Sequence, residues 1–186
     1  MKALVTERVG RLRLLVVGGS LGAKALNDTV PKALALIPEA SRPIVLHQSG
    51  EKQIDALRAS YEAAGVRAEL TPFIGDTAQA YADADLIVCR AGASTVTEIA
   101  AVGCAAVFVP FPSAVDDHQT TNAKFLVEKG GGWLVQQRDL APEKLAQMLK
   151  DMDRGTLLQR ATAAKKMQKT EATADIVAAC EELANP

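Results

Sequence analysis

The sequence predicts a doubly wound α/β domain built on a mainly parallel, six-stranded sheet. Two observations carry that prediction. Six short runs are rich in β-branched residues, and several are apolar throughout instead of alternating, as strands covered on both faces are. Segments of helical periodicity separate them, and strands alternating with helices build a parallel sheet.

The first strand is expected at 12–17; it runs into the turn "VVGGSLGA", where Gly18 and Gly19 reverse the chain and a helix begins near residue 21 or 22 and reaches 36. A second strand at 44–47 ends in "HQSG" and precedes a helix at 51–63. The third strand, 66–70, leads to a helix at 76–82, and the fourth, 86–89, to a helix at 95–102. The fifth, 105–109, passes through the proline loop "VPFP" into a helix at 117–129, and the sixth is placed at 133–135. Several helices open on Asp or Thr and close near Gly. After Asp139 only helical pattern remains, with Pro142 where a first-turn proline is tolerated and breaks near Gly155 and Thr170, so two or three C-terminal helices follow. Residues 1–11 read as a lead-in and 12–186 as one Rossmann-like domain, its C-terminal helices starting at about 140. The chain carries no internal repeat.

At 186 residues, such a domain buries roughly 70% of its unfolded surface and needs no metal or disulfide to hold its core. Charged residues make up 23% and the net charge is −1, so there is no basic stripe and nucleic acid is not an expected partner. Cys89, Cys104 and Cys180 are odd in number and widely spaced, and read as reduced thiols. No apolar run approaches the ~18 residues of a spanning helix, which leaves a soluble chain or one resting on a membrane surface.

The turn "GGSLGA" has the features of an anion site. Glycines let a ligand approach the backbone, and the N–H groups opening a helix carry about half a positive charge. The same turn also suits any tight first strand-to-helix connection. Two phosphate signatures fail here: a P-loop lacks its second glycine and its hydroxyl after Lys24, and a dinucleotide fold lacks an acid at the end of the second strand, which reads "LHQSG".

A second cluster, "CRAGASTVTE", follows the fourth strand. Ala91, Gly92 and Ala93 permit close approach, Ser94, Thr95 and Thr97 bring hydroxyls, and Glu98 brings the acid. Thr95 with Glu98 also fits a capping box. In a doubly wound sheet the first and fourth strands are neighbours, so the two turns would share one crevice, and Glu98 could accept from two vicinal ribose hydroxyls. A third segment, "VPFPSAVDDHQTTNA", places Asp116, Asp117, His118, Gln119 and Asn122 at the same strand ends. Asp116 or Asp117 suits a helix N-cap, and amides such as Gln119 suit sugar hydroxyls. With two histidines and no cysteine close to either, a metal site is not expected.

Taken in order, "GGSLGA", "CRAGASTVTE" and "FVPFPSAVDDHQTTNA" resemble the C-terminal half of the MurG family, over about residues 12–184. Those cytoplasmic, membrane-associated transferases add N-acetylglucosamine from its UDP sugar to the lipid-linked muramyl-pentapeptide of peptidoglycan synthesis. The resemblance implies one half of a GT-B glycosyltransferase, the half that binds the donor. It implies that Gly18, Gly19, Ser20 and Gly22 approach the donor diphosphate, with the Ser20 hydroxyl a direct ligand, and that Ile74 lies against the uracil. Ala93, Ser94 and Thr95 would line the phosphate and ribose region, with Val96 and Thr97 in the same donor-binding set, and Glu98 would take the ribose hydroxyls. His118 and Gln119 would reach the sugar; many members carry two glutamines there, and Leu21 replaces a common glutamine.

The resemblance further implies inversion at the anomeric carbon without a metal or other cofactor, and a general base in an N-terminal acceptor domain. Nothing matching that domain precedes Leu12, so the chain is expected to be a fragment of a longer protein or to meet an acceptor-binding subunit, and to be inactive alone. The full protein would sit at the inner face of the plasma membrane, where its lipid-linked acceptor is. Two other functions fit parts of the pattern. One is the soluble donor subunit of a two-subunit N-acetylglucosamine transferase with a membrane-anchored partner, like the eukaryotic enzyme of the dolichol pathway. The other is a nucleotide-binding module that transfers nothing. Lys165, Lys166 and Lys169 read as a solvated helix face that could also touch anionic lipid.

Overall fold

The computed structural model describes residues 8–19, 22–112 and 117–184. Its six strands are β1 (Arg13–Val17), β2 (Ile44–Gln48), β3 (Glu69–Thr71), β4 (Leu86–Cys89), β5 (Ala105–Phe108) and β6 (Gly132–Leu134). They form one parallel sheet in the order β3-β2-β1-β4-β5-β6, so the expected doubly wound architecture is the one found. The chain walks outward from β1 to β3 and returns to the other side of β1 as β4. Val17 pairs with Gln48 on one side and with Cys89 on the other, and the segments leaving β1, β2 and β4 emerge side by side.

The described residues form eight α-helices, α1 (Lys24–Ala35), α2 (Ile54–Ala64), α3 (Thr77–Asp83), α4 (Ala93–Val102), α5 (His118–Val127), α6 (Pro142–Asp151), α7 (Arg154–Lys165) and the exposed α8 (Ala172–Ala184). Strand residues alternate between two cores, which explains runs apolar at every position. Leu14, Val16, Val88 and Val107 pack beneath Leu26 and Val30 of α1, Leu57 of α2 and Leu145 of α6. Leu15, Val17, Ile87 and Phe108 pack beneath Tyr81 of α3, Ile99 of α4 and Leu126 of α5. None of these helices is long and apolar enough to cross a membrane.

Several boundaries differ from expectation for local reasons. β3 is shorter and later than 66–70, because Gly65 closes α2 in a left-handed conformation and Val66 donates its N–H back to Tyr61. Val66 is thus the apolar residue that follows a helix-closing glycine, not a strand residue. α1 starts at Lys24, after Gly22 and Ala23, and α4 starts at Ala93. The break expected near Gly155 falls at residues 152–153, and Gly155 itself lies in the first turn of α7, whose cap is Asp153 accepting from the Thr156 N–H at 2.7 Å. The C-terminal break falls at 166–171, around Thr170.

At the amino end of the sheet, away from the glycine turn, buried Asp85 binds Arg8 at 2.9 Å, Arg154 at 3.0 Å and the Arg13 N–H at 2.9 Å. That carboxylate ties the segment before β1 to α7. Cys89, Cys104 and Cys180 are free. Burial pushes both buried thiols up, Cys104 to about 12.

Candidate functional site

The three glycines after β1 serve different ends. A Cβ on Gly18 would lie 2.5 Å from the Ala23 nitrogen, so this residue lets the start of α1 fold back onto the turn. Gly19 has φ +83 and a Cβ there would meet nothing within 4 Å, which leaves its face open to a ligand. Gly22 combines φ +74 with a close approach to the Ser49 carbonyl. The Gly22 N–H closes the turn on the Gly19 carbonyl at 2.9 Å. Ser20 and Leu21, at the tip, lie outside the described residues.

α1 and α4 begin at the carboxyl ends of adjacent strands. Neither has a side-chain cap, and neither has an acid in its first turn. Their leading N–H groups therefore keep the positive ends of two helix dipoles unneutralised, an arrangement suited to an anion. The capping box expected from Thr95 and Glu98 does not form, because the N-cap of α4 is Gly92 and Thr95 already lies within the first turn.

The rest of the "ASTVTE" set divides by direction. Ala93, Ser94, Thr97 and Glu98 are exposed, and Thr95 is half-buried. The Thr97 hydroxyl donates back to the Ala93 carbonyl at 2.6 Å. Val96 faces the core, with its N–H donated to the Gly92 carbonyl, so neither its side chain nor its amide is presented to the crevice. Glu98 has a neighbour that the sequence did not suggest. The buried Tyr81 phenol sits against the Glu98 carboxylate and the Thr95 hydroxyl; its pKa is raised first by burial and then by the charges of Cys89 and Glu98. The carboxylate is thereby steadied on one side and open to solvent on the other.

α5 joins this turn to the loop after β5. Gln119 accepts through Oε1 from the Ala91 N–H at 3.2 Å and from the Phe111 N–H at 3.0 Å, while Asn122 donates to the Ala91 carbonyl at 3.0 Å. The Ala91 peptide is held on both sides, and the amide nitrogen of Gln119 remains the atom with which it can donate to a ligand. Arg90 donates to the carbonyls of Val109 and Pro110 and, at 2.6 Å, to Gln137 Oε1, with Phe111 stacked 5.4 Å away. His118 is exposed at the first position of α5. Asp117 occupies the cap position with φ 51, yet its carboxylate accepts from the Thr120 hydroxyl at 2.7 Å instead of from a helix amide. Asp116 lies outside the described residues.

Behind the glycine turn is a buried polar layer that sequence reasoning missed. Asn27 donates to the Ser49 carbonyl at 3.2 Å and to Gln53 Oε1 at 2.9 Å, so its own oxygen accepts from His47 Nε2 at 3.0 Å. His47 Nδ1 then accepts from the Tyr61 hydroxyl, also at 3.0 Å. Burial lowers the His47 pKa to about 3, so the ring is neutral and a fixed tautomer. Ile74, expected to lie against a uracil, is half-buried against the core below α3 and α4. Among the described residues, no group of three or more His, Cys, Asp and Glu side chains is close enough to hold a metal ion.

With this geometry in place, the comparisons with known proteins agree on one family. The family model described as glycosyltransferase family 28 C-terminal domain matches residues 13–178. A relative from Polaromonas naphthalenivorans (strain CJ2) is 75% identical over 178 residues, covering 96% of this chain and 49% of its own length. It is named UDP-N-acetylglucosamine--N-acetylmuramyl-(pentapeptide) pyrophosphoryl-undecaprenol N-acetylglucosamine transferase. A relative of the same name from Azoarcus sp. (strain BH72) is 62% identical, covering 95% of this chain and 50% of its own. The chain thus spans about half the length of the curated relatives it matches. Among solved structures, Acinetobacter baumannii MurG aligns with a TM-score of 0.88 at 44% identity, over 96% of this chain and 52% of that one. The glycosyltransferase VinC, solved in complex with dTDP, has a TM-score of 0.63 at 21% identity over 96% of this chain and 44% of its own, a likeness of fold alone.

Proposed function

Since the chain belongs to the glycosyltransferase family 28 C-terminal domain family, we propose that it is the donor-binding half of an inverting, metal-independent glycosyltransferase. The reaction would move N-acetylglucosamine from UDP-N-acetylglucosamine to a lipid-linked muramyl-pentapeptide in peptidoglycan synthesis, the activity for which the relatives are named. The observation that carries this reading is the pair of uncapped helix starts, α1 and α4, at the ends of adjacent strands with the Glu98 carboxylate exposed beside them.

In this assignment the Gly19 N–H and the amides opening α1 meet the diphosphate, with the Ser20 hydroxyl as a further ligand and Gly22 shaping the turn. Ala93, Ser94 and Thr95 line the phosphate and ribose side, with Thr97 beside them. Glu98 accepts from the two ribose hydroxyls, Ile74 packs against the uracil, and Val96 supports the set from the core. Gln119, through its amide nitrogen, and His118 reach the sugar hydroxyls.

An acceptor hydroxyl attacks the anomeric carbon, the bond from that carbon to the diphosphate breaks, and its electron pair stays on the departing UDP. The amides of the two helix starts stabilise the charge that grows there; one well-placed donor of this type is worth ~3 kcal/mol of barrier. The general base, the acceptor site and contact with the inner face of the plasma membrane are assigned to the length of the relatives that this chain does not span. The chain alone then binds donor without turning it over, and it needs no cofactor.

A melting-temperature series against UDP, UDP-N-acetylglucosamine, NAD and ATP tests the reading. UDP and its sugar should raise the midpoint, since a ligand at 100 times its Kd stabilises by about 2.7 kcal/mol. A preference for NAD or ATP would overturn it, and substantial sugar transfer by this chain alone would overturn the assignment of the base elsewhere.

A further inference from the structure

Gln48 ends β2 between the two strands whose loops form the nucleotide side of the crevice: Val17 of β1 is its partner on one side and Thr71 of β3 on the other. It is only 3% exposed, so its carboxamide contacts protein and not ligand. Oε1 accepts from the Gly18 N–H at 3.1 Å. Nε2 donates to the Gly19 carbonyl at 3.0 Å and to the Pro72 carbonyl at 3.0 Å. One side chain thus grips both ends of the Gly18–Gly19 pair and also holds the segment two residues before Ile74. The Gly18 N–H, already donated to Gln48, is withdrawn from anion binding, and the Gly18–Gly19 pair is fixed between the two grips, with open space where a Gly19 side chain would stand.

We propose that Gln48 is a positioning residue of the donor site, locking the diphosphate turn and the base-side loop into one rigid unit so that a uridine diphosphate meets both in register. The proposal rests on the donor-binding reading above. It also explains why an uncharged amide stands where a dinucleotide fold would carry its acid: the position is turned inward to brace the turn instead of outward to a ribose.

The test is calorimetric binding of UDP and of uridine to the chain, at a temperature well below its midpoint, for the native protein and for Gln48→Leu and Gln48→Glu. Leucine removes all three bonds at similar volume. It should weaken UDP about tenfold and uridine about threefold, since two of the three bonds hold the phosphate side. Glutamate keeps the acceptor for Gly18 but loses both donors and places a charge beneath the diphosphate. It should weaken UDP more than leucine does near neutral pH and recover relative to the native protein as the pH falls and the carboxyl protonates. A residue that merely supports the fold would lower the melting midpoint and leave the affinity of folded protein within twofold of native, and that result overturns the proposal. Should the glutamate variant not fold, the leucine measurement decides alone. If the native protein binds no UDP, the donor-binding reading fails and this proposal fails with it; if native binds UDP and the variants bind it equally, only the role of Gln48 is lost.

Discussion

A Cβ placed on Gly22 would lie 2.0 Å from the carbonyl oxygen of Ser49, whereas one placed on Gly19, three residues earlier, would meet nothing within 4 Å. The two glycines are therefore needed for different reasons, and alanine should separate them. At Gly19 the cost is the positive φ alone, ~1–2 kcal/mol, or roughly 2–8 °C in midpoint for a chain of this size. The added methyl points into the open face, so UDP affinity should fall in protein that still folds. At Gly22 the same strain is joined by a backbone collision, and cooperative unfolding should be lost or the midpoint lowered well beyond the Gly19→Ala value. Thermal denaturation of both variants, with calorimetric UDP binding of Gly19→Ala, checks this; equal destabilisation by the two would contradict it.

Glu98 caps nothing, since α4 begins at Ala93 with Gly92 before it. Glu98→Gln should accordingly leave the melting midpoint unchanged and act on ligand. Hydrogen bonds to a charged acceptor contribute about 1.5–3 kcal/mol, so UDP should weaken by about tenfold or more, while inorganic pyrophosphate, which has no ribose, should bind as before. Parallel calorimetric titrations with the two ligands measure the difference. Equal weakening of both would mean that Glu98 acts on the turn and not on the sugar of the nucleotide.

The sheet and its crevice were legible because their signals are local or periodic. Unbroken apolar strands, glycines after the first strand and a second small-residue turn after the fourth are all readable in one pass, and the adjacency of β1 and β4 follows from doubly wound topology. What escaped notice depends on partners far apart in sequence. Gln48 looks like a polar strand end until Gly18, 30 residues away, and Pro72 are seen to share its carboxamide. Tyr81 looks like a core aromatic, yet it abuts Glu98. The false capping box has a local cause: the S/T-x-x-E spacing starts within the first turn of a helix that glycine and alanine had already begun. Lys165 lies on the exposed face expected of it, and its ammonium also donates to the Ala101 carbonyl near the end of α4, a partner 64 residues away.

Gln119 offers a way to separate scaffold from specificity. Its oxygen accepts from the Ala91 and Phe111 N–H groups, and Gln119→Glu preserves those two bonds while removing the amide donor. The variant should keep its midpoint and its UDP affinity but lose the added affinity that N-acetylglucosamine gives to UDP, by about fivefold to tenfold for one donated bond. Gln119→Ala, which frees both N–H groups, should instead lower the midpoint as well. Competition titrations of UDP against its sugar report the first effect and thermal denaturation the second. If Gln119→Glu still distinguishes the sugar as the native protein does, the amide nitrogen has no role in recognising it.

His47 gives the fold an acid-sensitive joint behind the glycine turn. Burial lowers its pKa to about 3 from an ordinary value of 6.5, so the unfolded chain takes up a proton that the folded one refuses. The sign follows from linkage: stability from this residue is complete above pH 6.5 and is lost progressively as the pH falls from there toward 3, with a slope approaching ~1.4 kcal/mol per pH unit. His47→Gln keeps a donor for Asn27 and does not titrate, so it should be less stable than the native protein at pH 7.5 and should lose less on going to pH 5. Urea denaturation at the two pH values gives the comparison. Protonating the ring in the folded state would leave both bonds possible, since the Tyr61 hydroxyl can turn to accept from Nδ1, so what the fold resists is a buried charge within the Asn27–Tyr61 layer.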